Sequence, residues 1–368
     1  MKIIIANHGI HPLQVGGMER HTYNLASSLH ESGVEVKVLV PDFSIASHHA
    51  FPFPITFLPW GRRPLWLWAN YEFSKHVEAY ARSHPPDIIL SQGFNAWAAL
   101  KQSNVPIIFH PHGLEMFGKH LSKIERIRLA PFRSLVRYHA KHSQRVISLG
   151  GKLTDVLRDE AKVPSEKIVE IPNAVFPEAF RGPSQTLRRP KSFLFVGRLA
   201  FNKGIDFLPG ILSRVTSPEL RWTIVGDGPE REKVLALAKK DARVTYVSQS
   251  DDQKLAELYR THECLLFTSR FEGMPTVILE AMAAGMSIIA TKIGAIEAMV
   301  DEGSAQLAEP TVESLTQAML TFLALSEEQK NIQRCRLADR IDRTFAWPGV
   351  TERYLELFRE VRSEWSKP

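Results

Sequence analysis

Two rhythms of apolar residues alternate along this chain. Short, continuous apolar runs rich in Ile, Val, Leu and Phe are separated by longer stretches in which apolar residues return every three or four positions. The short runs predict strands at Lys2–Ala6, Glu35–Val40, Asp87–Leu90, Pro106–Phe109 and Arg145–Leu149 in the first half. In the second half they predict strands at Ser192–Val196, Arg221–Val225, Arg243–Val247, Glu263–Phe267 and Ser287–Ala290. Runs that are apolar throughout, rather than alternating, suit strands covered on both faces. Helical stretches between them predict parallel crossovers, hence an α/β protein with two Rossmann-like, doubly wound parallel sheets. Between the halves, Pro177–Pro190 loses periodicity and carries Gly182, Pro183, Ser184, Arg188 and Arg189, which reads as a linker. The expected domains are 1–178 and 179–345, followed by a helical tail with Tyr354, Leu355, Leu357, Phe358 and Val361 on its apolar face. Sheets of this kind bind ligands beyond the carboxyl ends of their strands, so a central cleft between the domains is the expected site.

Length and composition agree with this picture. A chain of 368 residues exceeds one ordinary core, and 44% hydrophobic with 23% charged residues is the balance of a globular protein. Two distant cysteines, Cys264 and Cys335, build neither a disulfide framework nor a zinc site, and they fit a reducing cytoplasm. The first apolar run is short for a signal peptide, and no run approaches the ~20 apolar residues of a spanning helix. The net charge of +6 is concentrated. The window 119–145 holds Lys119, Lys123, Arg126, Arg128, Arg133, Arg137, Lys141 and Arg145 against Glu125 alone.

The glycine motifs narrow the chemistry. No G-x-x-x-x-G-K-[ST] and no complete G-x-G-x-x-G follows a strand, which disfavours P-loop and dinucleotide enzymes. Gly226-Asp227-Gly228-Pro229-Glu230-Arg231 lacks the third glycine and reads equally as a tight turn or as a ligand contact. Gly16-Gly17 lies after the first strand and before a helix, where backbone N–H groups can approach a diphosphate. Gly197, Arg198, Lys203 and Gly204 follow the first strand of the second half. There an arginine fork and a lysine point charge can meet one anion. The richest segment is Ser269–Gly285. Glu272 sits in a loop and Glu280 about a turn inside the next helix, so carboxylates for sugar and ribose hydroxyls flank a helix N-terminus able to hold phosphate.

Taken together, Gly16–Arg20, His112-Gly113, Ile171-Pro172-Asn173-Ala174, Val196–Gly204, Gly226–Glu230 and the Glu272–Glu280 signature resemble the retaining GT-B glycosyltransferases of family 4 along nearly the whole chain. The resemblance implies that Gly16 and Gly17 lie near the donor's distal phosphate. Arg198 and Lys203 bind the diphosphate, Glu272 holds hydroxyls of the transferred sugar with amides around Gly273 and Met274, and Thr276 belongs to the donor-binding set. Glu280 holds the ribose, and His112, rather than His110, approaches the sugar near the reacting centre. It also implies that the tail 346–368 returns to the first domain. Two departures stand out: Ala174-Val175-Phe176 where the family commonly has Gly-Val-Asp, and a reduced glycine loop at Glu302–Leu307.

The expected function is transfer of a sugar from a UDP- or GDP-linked donor, with retention, to a glycan or lipid-linked acceptor of cell-surface polysaccharide synthesis. No cofactor or essential metal is expected, because Arg198 and Lys203 stand where a metal would and no suitable Asp-x-Asp loop occurs. The alternatives are a nucleotide-sugar epimerase of the same fold and a non-catalytic sugar-nucleotide-binding subunit. The basic window is interleaved with apolar residues and follows an aromatic stretch of Phe51, Phe53, Phe57, Trp60, Trp66, Trp68 and Tyr71, with Arg62 and Arg63. Lys123, Arg126, Arg133 and Arg137 therefore read either as a solvated helix face or as a surface for an anionic membrane or acceptor. No nucleic-acid recognition motif accompanies them. The expected location is cytoplasmic, peripheral on the inner leaflet.

Overall fold

The computed structural model describes residues 1–14, 16–42, 50–61, 65–118, 123–182, 188–248 and 251–365. The chain forms two compact units: Met1–Asn173 with Trp347–Pro368, and Ala174–Ala346.

The first unit carries a seven-stranded parallel sheet of β1 (Lys2–Ala6), β2 (Glu35–Asp42), β3 (Ile55–Pro59), β4 (Ile88–Gln92), β5 (Ile107–His110), β6 (Arg145–Ser148) and β7 (Ile168–Glu170). Its order is β3-β2-β1-β4-β5-β6-β7. The second unit has β8 (Arg189–Val196), β9 (Arg221–Val225), β10 (Val244–Val247), β11 (His262–Phe267), β12 (Ser287–Thr291) and β13 (Gln306–Ala308), ordered β10-β9-β8-β11-β12-β13 and also parallel. The strand order reverses between β1 and β4, and again between β8 and β11. The loops leaving those strands flank the crevice where doubly wound sheets take ligands.

Central strands form because their residues satisfy burial on both faces. β11 is buried at every position, as are β4 and β12. Phe193, Trp222, Ile224, Leu266 and Phe322 make the centre of one core, and Ile4, Leu39, Phe73, Val77 and Ile89 of the other.

Two features differ from the linker reading. Pro177–Phe180 is a helical turn belonging to the second unit, where Phe180 meets the Tyr259 ring edge-on at 5.8 Å. The units divide at Asn173 and Ala174 rather than at 178, and 183–187 lie outside the described residues. The second division falls at Ala346 and Trp347. From there the helix Trp347–Trp365 packs on the helix Gly17–Glu31 of the first unit. Thr351 donates to Ser28 at 2.8 Å, and Arg145 pairs with Glu360 at 2.7 Å and Glu364 at 2.8 Å.

Candidate active site

In the second unit, β8 ends at Val196 and opens the loop that carries Gly197, Arg198 and Lys203. β11 ends at Phe267 and opens the loop that carries Ser269 to Pro275, followed by the helix Thr276–Ala283. Both loops stand at the point where the strand order reverses. They are brought together by backbone. Arg270 N–H donates to Asn202 O at 2.8 Å, and Thr268 Oγ1 donates to Lys203 O at 2.8 Å. Gly204 makes this approach possible. Its φ is +70°, and a Cβ there would lie 2.1 Å from Thr268 O.

The side chains that meet are Lys203, Glu272 and Ser269. Lys203 Nζ forms an ion pair with Glu272 Oε1, and Ser269 Oγ donates to the same oxygen at 2.9 Å. Lys203 is therefore pre-positioned, with part of its charge already balanced by Glu272. Arg198 is exposed and makes no hydrogen bond or ion pair with the described residues. Gly273 accepts from Ala295 N–H at 3.0 Å, and Met274 is buried. Thr276 opens a helix whose first turn has no side-chain cap, so its N–H groups remain suited to an anion. Glu280 is buried, and Tyr259 Oη donates to its Oε2 at 2.7 Å.

Gly226-Asp227-Gly228 has a supporting role. Leu199 N–H donates to Asp227 O at 2.8 Å, and Glu230 N–H to Leu199 O at 2.8 Å. Gly226, at φ +143°, passes so close that a Cβ would stand 1.9 Å from Gly197 O. The turn thus braces the Arg198 loop from behind.

Sequence reasoning missed Arg270. It forms a bidentate pair with Asp206 at 2.7 Å on each arm and donates to Phe201 O. Its guanidinium lies between the rings of Phe201 (4.0 Å) and Phe207 (3.9 Å). This clamp joins the Lys203 loop to the Glu272 loop. Tyr259 was missed too. In each case the partner is distant along the chain, and no local motif announces it.

In the first unit, His112 follows β5 and takes a left-handed conformation, φ +61°. The chain folds back there and stacks the His112 ring on His110, centroids 3.7 Å apart. His21, from the helix Gly17–Glu31, meets both rings edge-on at 5.2 and 4.9 Å. Tyr354 Oη reaches His21 Nε2 at 3.2 Å and His110 Nδ1 at 3.4 Å. Burial holds the His21 imidazole down to about 3, with Asn173 partly opposing it. Burial, and then the neighbouring histidines, hold His110 and His112 well below the ordinary range. All three are neutral at physiological pH. Their ring nitrogens lie within 4.8 Å of one another, a spacing that a metal ion can use. Near-parallel stacking of His110 and His112, at 19°, sends their in-plane lone pairs side by side rather than onto one ion.

Gly16 and Gly17 begin their helix without a side-chain cap. The anion placed there is the chain's own Glu19. Its carboxylate lies over Gly16 and pairs with His8 at 3.0 Å. Burial raises the Glu19 carboxyl, but His8 more than offsets this and holds it below the usual range.

Residues 15–179 match Glycosyltransferase Family 4, and residues 190–324 match Glycosyl transferases group 1. The chain belongs to the group 1 glycosyltransferases of family 4. Glycogen synthase of Mycobacterium tuberculosis is 24% identical over 406 residues, 98% of this chain and 96% of that protein. The phosphatidylinositol N-acetylglucosaminyltransferase gpi3 subunit of Schizosaccharomyces pombe is 24% identical over 205 residues. That match takes in 54% of this chain and spans less than half, 45%, of the relative. Sucrose-phosphate synthase from Thermosynechococcus elongatus superposes with a TM-score of 0.88 at 20% identity, covering 99% of both chains. The fold is therefore GT-B, and the Lys203–Glu272 and Glu280 constellation lies within the group 1 segment.

The basic surface of this glycosyltransferase is partly different from expectation. Lys119, His120 and Leu121 lie outside the described residues, as do Arg62 and Arg63. Lys123 and Arg126 lie on the helix Lys123–Arg128, which is exposed at every position, with Ile124 at 79% and Ile127 at 76%. Arg133 and Arg137 do structural work instead. Arg133 donates to Met116 O (3.1 Å) and Arg126 O (2.8 Å), and Arg137 donates to Glu160 O at 2.8 Å. Of the aromatic stretch, Phe53 is buried and Trp60 packs on Phe73, whereas Trp66 and Trp68 are exposed. Trp66 adjoins Phe132 at 6.3 Å, which connects that patch to the basic helices. Among the described residues no helix is long and apolar enough to cross a membrane.

Proposed function

We propose that this glycosyltransferase moves a hexosyl or N-acetylhexosaminyl group from a UDP- or GDP-linked donor, with retention of configuration, to a glycan or lipid-linked acceptor. The observation that carries the reading is the Lys203–Glu272–Ser269 cluster, with Glu280 held by Tyr259 on the helix that follows. Transfer breaks the bond between the anomeric carbon and a phosphate oxygen, and negative charge grows on the leaving diphosphate. Lys203, Arg198 and the uncapped amides at Thr276 lower that barrier if the diphosphate sits against them, with no essential metal. Glu272 takes hydroxyls of the transferred sugar while it steadies Lys203, and Glu280 takes the ribose. On the family pattern, neutral His112 accepts a hydrogen bond from the same sugar. A lipid-linked acceptor is favoured by Ile124 and Ile127 exposed among Lys123, Arg126 and Arg128.

The experiment is a thermal-shift screen of nucleoside diphosphate sugars, followed by mass spectrometry of reactions with glycan and lipid-extract acceptors. A donor that stabilises the protein and yields a mass-shifted acceptor supports the reading. An epimerised donor formed without acceptor overturns it, as does stabilisation with no product from any acceptor.

A further inference from the structure

We propose that Gln92 is the positioning residue of His112. Its side-chain oxygen receives the His112 Nε2 proton, fixes the ring in the Nε2–H form and leaves Nδ1 as an acceptor for a hydroxyl of the transferred sugar. The sugar role rests on the function proposed above; the pairing itself does not.

Gln92 is the last residue of β4 and the register partner of His110 in β5. His112 lies two residues further on, and its left-handed turn lays the ring back over His110. That turn brings Nε2 onto Gln92 Oε1. An amide oxygen only accepts, so the shared proton belongs to His112. The groups facing this ring are His110, His21 and His8, and with burial they oppose a second proton. The imidazole therefore carries one proton, whose place Gln92 decides.

The anchor is itself anchored. Asn95 Nδ2 donates to the Gln92 backbone carbonyl, and Asn70 Nδ2 donates to Asn95 Oδ1 at 2.8 Å. Gly93 N–H donates to His110 O at 2.8 Å. Gln92, Asn95 and Asn70 are all fully buried. Gln92 Nε2 has no partner among the described residues. An apolar residue would avoid that burial cost, so packing alone does not explain a glutamine here. Its oxygen does.

The test uses the full chain with 15N-labelled histidine, and ring-nitrogen NMR of the wild type, Gln92→Met and Gln92→Glu. His112→Asn assigns the signals. The wild type should show His112 only as Nε2–H and unchanged between pH 9 and 5.5. In Gln92→Met the ring should lose its single tautomer, and kcat should fall about tenfold while affinity for the bare nucleotide diphosphate is kept. In Gln92→Glu the new carboxylate should draw a proton onto His112 near neutrality, giving kcat a limb that rises toward alkaline pH. An Nδ1–H wild type, or an Nε2–H form that survives in Gln92→Met, overturns the pairing. A changed tautomer with wild-type kcat and pH profile overturns its role in transfer. If the wild type transfers nothing, the function falls, and the tautomer arm still decides the pairing.

Discussion

On the proposed function, Lys203 has to be held ready for a diphosphate without being neutralised by what holds it. Glu272 and Ser269 meet that requirement, since the carboxylate steadies the ammonium while Arg198 stays exposed beside the same loop. The two cations should then respond differently to removal. Arg198→Ala loses one charge-assisted contact, on the order of 1.5–3 kcal/mol, or roughly 10- to 100-fold in Kd for a nucleoside diphosphate. Lys203→Ala should lose more, because Glu272 is left without its counter-ion in the path of the phosphate. Glu272→Ala should keep or tighten nucleotide binding while turnover collapses, and Glu280→Ala should weaken binding of the nucleotide itself. Calorimetry on the four variants checks this; unchanged affinity in both Arg198→Ala and Lys203→Ala overturns the diphosphate assignment. The places of Arg198, Lys203 and Glu272 in loops after strand ends, and of Glu280 in the next helix, were legible because the strands before them were. Arg270 was not, since Asp206 lies 64 positions away. Nor was Gln92, which reads locally as the end of a buried strand.

At the scale of elements, the central strands and the edge strand β10 were legible, and the other edges were not. β3, β7 and β13 were missed, and all three are short, lie at sheet edges and are only partly buried. A strand covered on one side needs no continuous apolar run, so the signal used for its neighbours is absent. The returning helix Trp347–Trp365 was legible as amphipathic. That its Tyr354 hydroxyl would reach both His21 and His110 was not. The burial of these histidines makes the first unit sensitive to acid. His21 is held to about 3, and His110 and His112 lie well below the ordinary range. A histidine whose folded pKa is depressed contributes stability above its unfolded pKa of about 6.5, and that stability is lost as pH falls. For His21 the window runs from about 6.5 to about 3, at a slope near 1.4 kcal/mol per pH unit once well below 6.5. Melting temperature should be flat between pH 7 and 8 and fall steeply below 6, and His21→Gln should make the fall shallower. An equal slope in both proteins would place the acid sensitivity elsewhere.

At the scale of the whole molecule, the charge of +6 is concentrated in the window 119–145, away in sequence from the Lys203–Glu272 cluster. Transfer should continue at full rate in excess chelator. Loss that magnesium or manganese restores would replace Lys203 and Arg198 as the groups that stabilise the leaving diphosphate. The surface itself calls for a membrane test that separates charge from insertion. Lys123, Arg126 and Arg128 share a helix whose Ile124 and Ile127 are bare, while Arg133 and Arg137 are tied to backbone carbonyls. Changing the first three to glutamine therefore removes charge without unpicking the scaffold, which Arg133→Gln would disturb. Near an anionic leaflet each basic residue is worth about 1 kcal/mol, and the attraction decays over a Debye length of ~8 Å at physiological salt. The triple variant should lose binding to anionic vesicles by about two orders of magnitude. Ile124→Ser with Ile127→Ser should remove the part of the binding that survives high salt, because burying an aliphatic side chain is not screened. Donor binding should persist in both variants, since neither touches the Lys203–Glu272 cluster. Co-sedimentation with anionic and neutral vesicles across a salt series reads all of these. Equal, negligible binding of the wild type to both vesicle types would return this helix to a solvated face and move the choice of acceptor toward a soluble glycan.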